Sequence, residues 1–133
     1  MSIELVKKYY EEFNKKNIEG ILDLCSDNVI NEPNQGENQI GKELLRNFFK
    51  ISWSHFKEDV YDLDILCNQD GSNVATEYTV RGTYFNTKEN LFPATNQKYD
   101  ITCTTLFKFK DNKISKITRY YNTKKWLDMV KPD

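Results

Sequence analysis

The 133-residue sequence contains few of the residues that build disulfide frameworks and metal centres. Its three cysteines, Cys25, Cys67 and Cys103, lie far apart and show no Cys-x-x-Cys spacing. An odd number at such spacing disfavours a disulfide scaffold and a zinc site. We expect each to be a small buried hydrophobic residue in a reducing compartment. His55 is the only histidine, which excludes a site with several histidine ligands, and we expect it at the exposed end of a helix.

Long apolar runs and an excess of charge of one sign are also missing. No segment reaches the apolar length of a membrane span, and the first residues, MSIELVKKYYEEF, lack the apolar core of a signal peptide. The 19 basic and 20 acidic residues give a net charge of -1. This balance provides no bulk attraction to nucleic acid or to an anionic membrane. We therefore expect a soluble cytoplasmic protein that binds neither.

The common cofactor and hydrolase motifs do not occur in the sequence. There is no Gly-x-Gly-x-x-Gly string, phosphate-binding loop, nucleophile elbow or His-Glu-x-x-His motif. We expect no nucleotide cofactor, no metal, and no serine or cysteine hydrolysis. Aromatic residues, by contrast, make up 14% of the chain, so they can fill a core or line an apolar pocket for a small hydrophobic molecule.

Hydrophobic periodicity divides the chain into a helical first half and a strand-rich second half. The helical spacing predicts helices over 2–14, 18–25, 42–53 and, near the end, 124–130. Alternation of apolar and polar residues predicts strands over 28–32, 60–67, 74–85, 99–110 and 113–122. Helices followed by a run of strands favour a single α+β domain over 1–133. We expect a cone-shaped, curved, mixed or antiparallel sheet with three N-terminal helices packed on its concave face, leaving a cavity between the two layers.

Three strings carry a family resemblance that spans nearly the whole chain. They are KKYYEEFNKKNIEGILDLCSDNVINEP, IGKELLRNFF and TTLFKFKDNKISKITRYYN. With this order of elements, the chain resembles the ketosteroid isomerase-like and SnoaL-like proteins of the nuclear transport factor 2-like (cystatin-like) superfamily. The resemblance implies the cone fold, a homodimer and a pocket for an apolar ligand. Because this superfamily includes isomerases, cyclases and plain binding domains, the fold alone does not select one activity.

Glu32 is the first candidate for a catalytic group. It ends a short strand and precedes Pro33, which restricts the backbone of the residue before it. The resemblance places Glu32 at the position of the family's carboxylate base. The residue pattern alone also allows a solvated loop carboxylate, or an ion-pair partner of Arg46 or Arg119.

Tyr9 and Thr105 are the candidates for stabilising a developing enolate. The resemblance implies that Tyr9 donates to the enolate oxygen, and that Thr105 stands where the family has a neutral acid as the second donor. A threonine hydroxyl is a weaker donor than a carboxylic acid, so the chain departs from the steroid isomerases at this position. The helical stripe and the strand pattern also allow a plain core tyrosine and an ordinary strand threonine.

The candidates for binding the substrate are aromatic and basic residues of the predicted helices and strands. They are Trp53, Tyr78, Arg81, Phe107 and Tyr121. Arg81 lies four residues after Glu77 on one strand face, so the two form either a polar anchor in the pocket or a structural pair. Tyr120 and Tyr121 alternate in direction, so only one can face the cavity.

Three functions are compatible with these features. The first is an isomerase or cyclase that uses Glu32 and Tyr9, without cofactor, on a hydrophobic carbonyl compound. The second is a non-catalytic module that binds a small apolar ligand. The third is a dimerisation or protein-binding module. Thr102, Thr104 and Leu106 lie on the face of their strand opposite the predicted core, and we expect this face to form a homodimer interface.

Overall fold

The computed structural model describes residues 1–132. Its helices are α1 (Ser2–Asn14), α2 (Ile18–Leu22), α3 (Lys42–His55) and α4 (Thr123–Val130). Its strands are β1 (Cys25–Glu32), β2 (Gln39–Ile40), β3 (Phe56–Cys67), β4 (Asn73–Tyr84), β5 (Gln97–Lys110) and β6 (Lys113–Tyr120). A single 3-10 turn, Pro33–Gln35, follows β1. None of these helices is long and apolar enough to cross a membrane.

The six strands form one mixed sheet in the order β2-β1-β6-β5-β4-β3. The pairing of β1 with β6 is parallel, and the other neighbouring strands pair antiparallel. The α+β fold predicted from the sequence is therefore confirmed, and of the two sheet types expected, mixed or antiparallel, the sheet is mixed. The parallel pair brings the end of β1 beside β6, and both strands contribute side chains to the site described below.

One face of the sheet is buried and the other is open to solvent. Along β5, the alternate residues Tyr99, Ile101 and Cys103 are buried, while the intervening Asp100 and Thr102 are exposed. This is the period-two pattern of a strand with one face against a core. On the helical side, α1 buries a stripe of four residues: Val6, Tyr9, Tyr10 and Phe13. The aromatic core therefore lies between the helices and the inner face of the sheet.

Two asparagines cap the starts of α2 and α4. The Asn17 side-chain oxygen accepts a hydrogen bond from the Gly20 amide at the start of α2 (3.1 Å). Asn122 accepts from the Lys125 amide in the same way at the start of α4 (3.0 Å). Each bond satisfies an amide that the helix itself leaves unpaired. Trp126, in the first turns of α4, lies in the wall of the cavity described below.

The structure corrects several expectations from the sequence. Strand β1 begins at Cys25, which was predicted to lie in the second helix, rather than at residue 28. Strand β3 begins at Phe56, directly after α3, rather than at residue 60. Cys67 is exposed at the end of β3, whereas Cys25 and Cys103 are buried as expected. Cys67 is the last strand residue before a turn, where the sheet has no layer above it. His55 is the last residue of α3 and is partly buried, with Nδ1 2.9 Å from the Asn86 carbonyl oxygen.

Candidate active site

A cavity of about 760 Å³ lies between α1, α3 and α4 and the inner face of the sheet. Much of its wall is aromatic, including Tyr9, Phe13, Phe48, Phe49, Trp53 and Trp126. Within residues 1–132, the charged side chains on the wall are Glu58, Arg119, Lys88 and Glu89. A cavity of this size and polarity matches the sites that enclose small organic ligands.

Glu58 brings a carboxyl group into this apolar cavity. It lies on β3 between Phe56 and Val60 and shares their inward-facing side. The Tyr99 hydroxyl donates a hydrogen bond to Oε2 of Glu58 at 2.5 Å. Burial raises the pKa of the Glu58 carboxyl, because the charged form loses its hydration. The Tyr99 hydrogen bond and the charges of Lys16 and Arg119 act in the opposite direction and offset only part of this effect.

Gly82 makes the contact between Glu58 and Tyr99 possible. In the sheet register, Gly82 of β4 pairs with Glu58 on one side and with Tyr99 on the other. A Cβ atom at Gly82 would overlap the ring and hydroxyl of Tyr99. The missing side chain lets the tyrosine ring extend across β4 to reach the carboxyl group two strands away, a use of glycine that depends on close approach.

Arg119 of β6 brings a positive charge to the cavity wall beside α1 and α3. Its guanidinium donates to the Asn31 side-chain oxygen (2.6 Å) and to the Tyr9 hydroxyl oxygen (2.7 Å). The same group lies over the rings of Phe48 and Phe49, at 5.0 and 5.5 Å from their centroids. No carboxylate of residues 1–132 lies within ion-pairing distance of Arg119. The cavity wall therefore carries a cation that only neutral groups contact.

Tyr9 presents a hydrogen-bond donor beside this cation. Its ring is buried, with 1% exposed, and packs edge-on against Tyr10 and Phe107. Burial raises the pKa of the Tyr9 hydroxyl and Arg119 lowers it, leaving the pKa above its ordinary value, so the hydroxyl stays protonated. Its oxygen accepts from Arg119, and no described residue accepts its hydrogen. Tyr9 can therefore donate to an oxygen of a bound molecule.

Comparison with known proteins identifies the family. The SnoaL-like domain model matches residues 6–117. The chain belongs to the SnoaL-like family. No curated protein matches the sequence, so the remaining likenesses come from solved structures.

Three solved structures are informative for this SnoaL-like chain. A proposed polyketide cyclase from Pseudomonas putida KT2440 is 35% identical, with a TM-score of 0.94 and 98% of each chain covered. A second, from Xanthomonas campestris, is 31% identical, with a TM-score of 0.95 and coverage of 97% of this chain and 96% of that one. An LEH-like epoxide hydrolase from Mycobacterium tuberculosis is 12% identical, with a TM-score of 0.75 and coverage of 97% and 84%. The last shows a shared fold alone.

In this SnoaL-like domain, Glu32 does not reach the cavity wall. Of the residues described, Pro33 lines the cavity but Glu32 does not. The alternation of β1 explains the difference, because the inward position at the strand end belongs to the fully buried Asn31. Glu32 lies on the opposite side of β1 and is partly buried. It makes no ion pair with Arg119, and Arg46 instead pairs with Glu19 and Glu43.

Arg81 is a second correction. It lies on the outer face of the sheet, where its Nε atom is 3.2 Å from Asp100 Oδ2. Its guanidinium lies over the Tyr61 ring at 4.4 Å. Glu77 is exposed on the same strand and the same face. The two residues are four apart, and both face away from the cavity because Tyr78 and Val80 between them face in. The expected role of Arg81 in binding the substrate is therefore not supported.

Thr105 and Phe107 lie behind the cavity wall. The Thr105 hydroxyl bonds to the Tyr78 hydroxyl at 2.7 Å, and neither Thr105 nor Phe107 is among the described lining residues. Phe107 is fully buried against Tyr9 and Tyr10. Both therefore support the lining aromatics rather than contact the cavity. The structure therefore does not support direct contacts of Thr105 or Phe107 with a substrate.

The remaining candidates do line the cavity. They are Tyr9, Trp53, Tyr78 and Tyr121. Sequence reasoning missed Glu58 because the predicted strand began two residues after it. Arg119 was considered only as a partner for Glu32. The sequence pattern could have predicted the position of Arg119. Ile117, two residues earlier, faces inward, and alternation along β6 places Arg119 on the same inner face.

Proposed function

We propose that the cavity catalyses cofactor-free proton transfer, of the isomerase or cyclase type, on a hydrophobic carbonyl compound. The observation that carries the proposal is the Glu58 carboxyl, which lies in an apolar cavity and has a pKa above its ordinary value. A carboxyl group whose pKa moves towards neutrality is a better match for a general acid or base at working pH. Relatives described as proposed polyketide cyclases support the same class of reaction.

The chemistry needs a base and a donor. The ionised Glu58 takes a proton from the carbon next to the substrate carbonyl, and the Tyr9 hydroxyl donates to the carbonyl oxygen on which negative charge develops. Arg119 stabilises that charge through its hydrogen bond to Tyr9. Protonated Glu58 then returns the proton, to another carbon in an isomerisation, or to the new alkoxide oxygen when the enolate carbon attacks a second carbonyl.

A carbon acid tests the proposal without knowledge of the natural substrate. We would follow exchange of the α-hydrogens of 2-tetralone in D2O by proton NMR, with and without the protein. We expect the protein to accelerate exchange, and Glu58→Gln to reduce that acceleration by about 10²–10⁴-fold, the usual contribution of a general base. Glu77→Gln, on the outer face of the sheet, is the matched control and should leave the exchange rate unchanged.

Two other results carry clear meanings. Loss of exchange in Glu32→Gln, with exchange retained in Glu58→Gln, would return the base to the position predicted from the sequence. If the protein does not accelerate exchange but 2-tetralone raises its melting temperature, the alternative function gains support, namely a non-catalytic module for small ligands. In that case the stabilisation should survive in Glu58→Gln.

A further inference from the structure

Arg119 forms no ion pair with a carboxylate of residues 1–132. Its two hydrogen-bond partners, Asn31 and Tyr9, are neutral acceptors. Burying a cation without an opposite charge is unfavourable, and proteins usually pair such groups or bind an anion against them. The two carboxyl groups among the described lining residues, Glu58 and Glu89, both lie beyond ion-pairing distance of the guanidinium.

The Arg119 guanidinium is also held in one orientation. Arginine has five N–H donors in a planar fork, and two hydrogen bonds to side chains are formed in the structure. The rings of Phe48 and Phe49 support its flat face. A fixed guanidinium with spare donors is suited to the planar, bidentate recognition of a carboxylate or an enolate.

The walls near this cation favour a flat ring. Trp53 packs against Phe13 and Phe49, with ring centroids 5.2 and 4.9 Å apart, and all three line the cavity. Aromatic rings prefer edge and offset contacts with other rings. Shape and charge together therefore select an aromatic body with a single anionic group.

We propose that the cavity binds planar aromatic ligands that carry one ionised acidic group, and that Arg119 holds this group. This inference rests on the proposed function only in that both concern the same cavity. It names the class of substrate that the cavity binds. It makes Arg119 a residue that recognises the ligand before reaction, in addition to its effect on Tyr9. It also predicts that a neutral ligand of the same shape binds less tightly.

A matched pair of probes separates charge from shape. The probes are 2-naphthoate and 2-naphthamide, which have the same ring system and similar size but differ in charge. Binding is measured by quenching of tryptophan fluorescence, since Trp53 and Trp126 both line the cavity, and by calorimetry. Near neutral pH we expect wild type to bind 2-naphthoate about tenfold or more tightly than 2-naphthamide, as charge-assisted bonds are stronger than neutral ones.

Substitutions then assign the preference to Arg119. Arg119→Gln should weaken the affinity for 2-naphthoate by about tenfold or more and change the affinity for 2-naphthamide by less than about twofold. Arg119→Lys keeps the charge but loses the planar fork, so its affinity should be intermediate. Arg46→Gln removes the same charge from the surface of α3, where Arg46 pairs with Glu19 and Glu43, and should leave both affinities unchanged.

The outcomes also separate this inference from the proposed function. Loss of proton exchange in Glu58→Gln tests the proposed function, whereas the preference of wild type for 2-naphthoate over 2-naphthamide tests this inference, so failure of either claim shows in a different measurement. Equal affinity of wild type for the two probes would overturn the inference, and this comparison does not require any variant to fold. The inference would also be overturned if Arg119→Gln lost affinity for both probes equally while its circular dichroism spectrum showed that the variant is folded.

Discussion

At the scale of single residues, three positions set the chemistry of the cavity. Gly82 has no side chain, so Tyr99 crosses β4 and its hydroxyl reaches Glu58. Asn31 occupies the inward position at the end of β1 and engages Arg119. Tyr9 was predicted from the sequence to face the cavity and to donate. The structure places Tyr9 on the cavity wall, and its role as a donor stays a prediction.

Gly82→Ala should be costly although it adds one methyl group. The new Cβ overlaps the Tyr99 ring, so the ring must move and its hydrogen bond to Glu58 is lost. Overpacking of this kind costs about 1–3 kcal/mol of folding free energy. Urea denaturation measures the change. Thr79→Ala, on the outer face of the same strand, is the control and should change stability by less than about 0.5 kcal/mol. Equal effects of the two substitutions would contradict the role assigned to Gly82.

At the scale of helices and strands, the ability to recognise where an element begins and which side chains face inward decided which site residues could be predicted. The alternation of β5 is regular, so its buried face was predicted correctly. Glu58 was missed because α3 runs directly into β3 without a glycine, a proline or a polar turn to mark the change. Glu32 was assigned by its place before Pro33, whereas period-two geometry gives the inward position to Asn31. Such an assignment depends on strand register, which sequence position alone does not fix.

One tyrosine of β4 forms hydrogen bonds with two points of the loop over residues 85–96. The Tyr84 hydroxyl donates to the Phe92 carbonyl and accepts from the Lys88 amide at 2.9 Å. Lys88 and Leu91 of this loop line the cavity. Tyr84→Phe leaves both backbone groups without this partner, so we expect a loss of about 1–3 kcal/mol. Faster hydrogen exchange at the Lys88 amide, measured by NMR, would locate the effect in the loop. Unchanged hydrogen exchange at the Lys88 amide would contradict this role of Tyr84.

At the scale of the whole molecule, the fold was predictable and the site was only partly so. Periodicity located all four main helices and every long strand. The family resemblance is confirmed by the match to the SnoaL-like domain. The identity of the cavity's carboxyl group depends on contacts between β3, β4 and β5, residues far apart in sequence. No local pattern encodes the register that brings Glu58, Gly82 and Tyr99 together.

We propose that the protein forms a homodimer through the outer face of the sheet. Leu66, Ala75 and Leu106 occupy neighbouring register positions on that face, and Leu66 is 65% exposed. An apolar row of this kind can form a self-complementary contact about a two-fold axis. We predict a dimer by size-exclusion chromatography with light scattering, and a monomer for Leu106→Asp with its circular dichroism spectrum unchanged. A monomeric wild type would contradict the proposal.

Stability should also respond to the pH at which Glu58 ionises. A carboxyl group whose pKa is raised on folding contributes stability below its unfolded value of about 4.3, and that contribution is lost as the pH rises through the folded value. Since burial raises the pKa of Glu58, wild type should lose stability relative to Glu58→Gln across this interval. Urea denaturation of both proteins, at pH values below and above the interval, checks the sign.

The proposed function requires that the cavity hold Glu58 as a carboxyl group with a raised pKa. Carbon-13 NMR of protein labelled at the glutamate carboxyl carbons tests it most directly, with the resonance of Glu58 assigned by its disappearance in Glu58→Gln. We predict that this resonance titrates with a midpoint above the ordinary glutamate value of about 4.3. A midpoint at or below that value would contradict the proposed role of Glu58 in proton transfer.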